Sequence, residues 1–104
     1  SAVDYVQARA WYDKAVAQKD ACAQHAIGWM YDSGTGAEED KAQAFAWYEK
    51  AAKQGLSKSQ FNLGVLYRDG LGVAQNMKAA KSWFEKAAAQ GDEEAAAELE
   101  DWSE

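Results

Sequence analysis

Apolar and small residues return along this chain three and four positions apart, the spacing of one face of a helix. The whole pattern then returns every 36 residues. Ala10-Trp11-Tyr12-Asp13-Lys14-Ala15, Ala46-Trp47-Tyr48-Glu49-Lys50-Ala51 and Ser82-Trp83-Phe84-Glu85-Lys86-Ala87 align at that step. So do Gly28 with Gly64, Tyr31 with Tyr67, Gly34 with Gly70, and Gly36 with Gly72. Residues 1–36 and 37–72 share 14 identities position by position, where chance supplies two or three. Each unit reads as two helices. Helices are expected at about 4–18, 21–33, 40–54, 57–69, 76–90 and 93–103. Asp4, Asp40 and Asn76 stand where an N-cap belongs. Gly55 and Gly91 stand where a left-handed residue ends a helix. Lys19 holds that place in the first unit, at a strain of roughly 1 kcal/mol if the geometry is kept.

A period in this range marks a solenoid, in which stacked units bury one continuous core. Composition agrees. The 104 residues include 23 Ala and no Pro, with few Val, Ile and Thr, which favours helix over strand. The length suits one domain, 1–104. Its units fall at about 1–20 (partial), 21–56 and 57–92, followed by a capping helix over 93–104. The opening residue is Ser1 rather than Met, so an upstream piece is expected to have been removed.

Ser59-Gln60-Phe61-Asn62-Leu63-Gly64-Val65-Leu66-Tyr67, Gly70-Leu71-Gly72-Val73, Trp83-Phe84-Glu85-Lys86-Ala87-Ala88 and Gln90-Gly91 together resemble the Sel1-like repeat. Ala23-Gln24-His25-Ala26-Ile27-Gly28-Trp29-Met30-Tyr31 shows the same pattern one unit earlier. The resemblance covers essentially the whole chain. It implies an all-α fold, a right-handed α/α solenoid of about three helical hairpins and six helices, related to tetratricopeptide repeats. It also implies an adaptor that holds other proteins together, of a form common in bacteria. Some cysteine-rich bacterial members pair two cysteines per repeat and are associated with β-lactam binding. With Cys22 alone, this sequence departs from that branch.

Leu63, Gly64 and Tyr67, and likewise Ile27, Gly28 and Tyr31, are expected to pack each first helix against its mate, with Gly64 letting the backbones approach. Trp47, Ala51 and Ala52 are expected to pack from the second helix. Leu71 and Val73 should plug the loop onto the core. The rest of each first helix should line the concave surface. These positions are Cys22, His25, Trp29 and Asp32, then Lys58, Phe61, Val65, Arg68 and Asp69, then Glu94, Ala97 and Asp101. The candidate partner-binding residues are therefore His25, Trp29, Asp32, Lys58, Phe61, Val65, Arg68 and Asp69. Trp29 is too large to be needed where the next unit has Val65, and exposed aromatics often anchor interfaces at about 2 kcal/mol or more. The alternative is that Trp29 folds over the neighbouring helix and His25 merely replaces an aromatic.

Other chemistry finds little support. Cys22 and His25 form one C-x-x-H pair, whereas a structural zinc needs four ligands. The same pair has no orienting third group for a catalytic dyad. Gly34-Thr35-Gly36 and Gly70-Leu71-Gly72 follow helices and lack a P-loop Lys-Ser/Thr, so they read as turns. No catalytic residue, metal or cofactor is expected. The net charge is −6, which argues against nucleic acid. Seven acids and no base lie from Asp92 onward, leaving ten acids against eleven bases elsewhere. That excess reads as a solvated last helix, or else as a handle for a basic partner. No apolar window spans a membrane. The partner expected is another protein or a peptide. The alternatives are a β-lactam-binding or hydrolytic enzyme, and a spacer within a longer array. Cytoplasm and periplasm fit a single cysteine equally. A monomer is only slightly favoured, since an exposed Trp29 could equally bury itself in a dimer.

Overall fold

The structure is a computed structural model that describes residues 20–102. All regular elements among these residues are helices: α1 (Ala21–Ser33), α2 (Lys41–Lys53), α3 (Ser57–Asp69), α4 (Met77–Ala89) and α5 (Glu93–Glu100). Five helices are described where six are expected, because the one at 4–18, with Asp4, Trp11 and Lys19, lies outside the described residues. Each helix packs on the next, α1 on α2 through to α4 on α5.

The helix ends follow from the side chains placed there. Asp40 accepts hydrogen bonds from the Ala42 and Gln43 N–H groups, and Asn76 from Ala79. Asp20 and Asp92 do the same for α1 and α5, while Leu56 at the equivalent place before α3 makes no such bond. At the end of α2 the Leu56 N–H reaches back to the Ala51 carbonyl and the Gly55 N–H to Ala52. Asp92 and Gly91 repeat this on Ala87 and Ala88. That double bond pattern needs a left-handed residue, and Gly55 and Gly91 have φ of 96° and 94°.

The core is built on Ile27, Tyr48, Leu63 and Phe84, all with no exposed surface. Gly28 and Gly64 are the reason the rings fit. A Cβ on Gly28 would stand 2.7 Å from Tyr48 Cδ1, and one on Gly64 2.7 Å from Phe84 Cε1. The first helix therefore uses its glycine to seat an aromatic ring of the second helix, rather than to let two backbones touch. The seated ring is the residue after the tryptophan. Trp47 and Trp83 are only half-buried, beneath the Lys50 and Lys86 ammonium groups at 4.4 and 4.5 Å from the ring centres. Ala51 and Ala52 are buried as expected. Leu71 is exposed and only Val73 of its loop is half-buried. The loop instead meets the protein at Gly72, where a Cβ would collide with the Lys41 carbonyl.

An amide ladder, with Gln24 and Gln60 buried and Gln54 and Gln90 exposed, joins the units. Gln54 Nε2 donates to Gln24 Oε1 at 2.8 Å, and Gln90 Nε2 donates to Gln60 Oε1 at 2.9 Å and to the Gly55 carbonyl at 2.8 Å. Gln60 Nε2 in turn donates to the Ala52 carbonyl. Buried amides need such partners, and here the repeat supplies them.

Candidate functional site

The three first helices α1, α3 and α5 share a face. Near their N-terminal ends it holds a cavity of about 230 Å³ lined by His25, Lys58, Phe61, Asn62, Asp92 and Glu94. Each of the three helices, counting the N-cap Asp92 of α5, contributes to it. His25 is fixed from two sides. Its Nδ1 lies 2.7 Å from the buried Ser59 Oγ on α3, and its ring stands 5.2 Å from the Tyr48 ring at 40°. One unit on, Phe61 stands 5.6 Å from Phe84 at 48°, and Ala95 takes the place of Ser59. His25 is thus an aromatic substitute whose extra nitrogen is satisfied by an extra hydroxyl. Burial, and then the Lys58 charge, hold its pKa below 6.5. Both effects disfavour imidazolium.

The opposite end of the same helices is closed. The Asp32 carboxylate receives Lys41 Nζ at 2.5 Å and the Tyr48 hydroxyl at 3.0 Å. Burial pushes the Tyr48 phenol pKa well up, with Asp32 acting the same way, so the hydroxyl stays a donor. Hydrogen bonding to Asp32 holds Lys41 in its charged form. Arg68 Nε donates to Asp69 at 3.0 Å and Nη1 to Glu98 at 2.8 Å, tying α3 to α5. Its guanidinium also lies 6.0 Å from the Phe84 ring centre. Hydrogen bonding to Arg68 lowers the Asp69 pKa.

Of the eight candidate residues, then, the cavity brings together His25, Lys58 and Phe61, joined by Glu94. Asp32, Arg68 and Asp69 are engaged in contacts within the protein. Val65 packs half-buried on the Phe84 cluster. Trp29 is 42% exposed and lies outside the cavity lining. Cys22 is exposed, and Ala97 and Asp101 are exposed outside the lining too. Sequence reasoning missed Asn62 and Asp92. Asn62 is polar where the first unit has Ala26, a departure from the repeat that could have signalled it. Asp92 was legible only as a helix start. No group of three or more metal-ligating side chains gathers among the described residues.

The Sel1 repeat profile matches residues 2–20, 22–56 and 57–92. The chain belongs to the Sel1 repeat family. A Sel1 repeat protein from Oxalobacter formigenes superposes with a TM-score of 0.87 at 44% identity, over 88% of this chain and 69% of that one. A protective antigen of uropathogenic Escherichia coli strains, c5321, displays the same fold with a TM-score of 0.89 at 38% identity, over 91% of this chain. This chain spans only 20% of that antigen. The Helicobacter pylori cysteine rich protein B follows with a TM-score of 0.81 at 28% identity, over 86% and 67% of the two chains. No curated protein sequence matches. Sel1 repeat proteins are generally protein-interaction modules and typically non-enzymatic scaffolds. No helix among the described residues is long and apolar enough to cross a membrane.

Proposed function

We propose that this Sel1 repeat chain is an interaction module that captures a peptide segment or helix of another protein on the concave face of a right-handed solenoid. The observation that carries this reading is the cavity lined from three successive first helices, at His25, at Lys58, Phe61 and Asn62, and at Asp92 and Glu94. A repeat array presents such an extended surface without further elaboration. The volume of about 230 Å³ lies below the roughly 300–1,000 Å³ usual for small-molecule sites, which favours side chains of a peptide over a substrate. Phe61 and His25 supply apolar contact, Lys58 and Glu94 supply polarity, and Trp29 flanks them as an exposed aromatic. Asp32, Arg68 and Asp69 serve instead to hold the helices that carry these residues.

The test is a titration of the isotope-labelled chain with peptides selected on it from a random displayed library. Amide shifts concentrated at His25, Lys58, Phe61 and Asn62 are expected. Shifts confined to α2 and α4, or selection of no peptide at all, would overturn the reading.

A further inference from the structure

The cavity carries charges of both signs on different helices, Lys58 on α3 and Asp92 and Glu94 at the start of α5. At the other end of these helices the opposite charges have closed on each other, Lys41 on Asp32 and Arg68 on Asp69 and Glu98. Lys58 and Glu94, both exposed, face one space and form no such contact among the described residues. Asp92 keeps Oδ1 on the Ala95 N–H. Phe61 adds an apolar surface to the same lining, and the Asn62 side chain beside it is hydrogen-bonded to Tyr48.

We propose that the occupant of this cavity is a partner peptide with an acidic and a basic side chain close together. The acidic group meets Lys58, the basic group meets Glu94, and their aliphatic stems cross the Phe61 ring. This rests on the interaction-module reading and adds the chemistry of the partner. A purely basic segment would be repelled by Lys58, and a purely acidic one by Asp92 and Glu94. An uncharged segment would strip water from these charges and return no partner. Charges at a rim contribute chiefly to partner choice and register, so the pattern of signs should be read directly in the selected sequences.

Peptide selection from a random displayed library on the full chain tests this, with wild type, Lys58→Glu, Glu94→Lys and the double exchange. Both positions are exposed, so helical content should be unchanged by circular dichroism. Wild type should enrich neighbouring acidic and basic residues. Lys58→Glu should shift enrichment to paired bases, Glu94→Lys to paired acids, and the double exchange should reverse their order. Peptides chosen on wild type should bind either single variant about tenfold more weakly or worse. Peptides that shift the cavity amides yet show no charge preference, or a preference the exchanges leave intact, would overturn this inference and leave the module reading standing. Selection of no peptide, or shifts only elsewhere, would overturn both.

Discussion

The two ends of the α1–α3–α5 face have similar composition and opposite fates. At one end Asp32, Lys41, Arg68, Asp69 and Glu98 satisfy each other. At the other, Lys58 and Glu94 line a common space and form no ion pair among the described residues. Charged residues on one helical face therefore do not form one class. Those that reach a partner on the next helix become part of the scaffold, and those held short of one are available to another molecule.

The first way to break this comparison is to remove what the closed end leans on. Tyr48 is fully buried, seats against Gly28, packs tilted against the His25 ring and donates to Asp32. Tyr48→Ala should cost about 3–5 kcal/mol in urea unfolding. A loss below about 1 kcal/mol would show that the ring seat does not hold the hairpin.

Gly64→Ala tests the same seat in the next unit. Its Cβ must displace Phe84, so a loss of about 1–3 kcal/mol is expected by thermal or urea unfolding. Unchanged stability would mean that the helices move apart freely at that point.

The sharpest contrast sets Lys41→Met against Lys58→Met. The second unit already has Met77 at the place of Lys41. Lys41→Met should cost about 1 kcal/mol, because Asp32 keeps Tyr48 but loses its ion pair and is partly screened by water. Lys58→Met should stay within about 0.5 kcal/mol of wild type. Equal losses would erase the distinction between the two ends.

The smallest effect is on acid stability. The folded His25 pKa lies below 6.5, so the unfolded chain binds the proton more readily. Stability from His25 is present above 6.5 and declines as pH falls from there towards the folded value. His25→Phe with Ser59→Ala reproduces the Phe61 and Ala95 pair of the next unit. Melting temperatures across that window should fall less for the double variant than for wild type. Parallel curves would assign the acid sensitivity to the carboxylates.

Much of this was legible because a repeat states its rules more than once. Asp40 and Asn76 recur one period apart as caps, Gly55 and Gly91 as left-handed ends, and Gly28 and Gly64 as small residues on one face. What the repeat does not state is which of two adjacent aromatics turns inward. Trp47 and Tyr48 are equally periodic, and only the packing of α2 against Gly28 shows that the tyrosine is the buried one. That His25 replaces an aromatic was open in the sequence as an alternative, but its hydrogen-bond partner was not: Ser59 lies 2.7 Å away and 34 residues along the chain.

The sequence by itself determined the described helices and their stacking, and their limits to within one residue except in α5, expected over 93–103 but ended at Glu100 by the Asp101 cap, because propensity, capping and the 36-residue apolar period are local or repeated properties. The tertiary structure alone decided which polar residues are spent and which are offered. Glu98 against Arg68, Asp32 against Tyr48, and Lys58 across from Glu94 depend on the distance between helices, and a charge in a sequence carries no record of what stands opposite it.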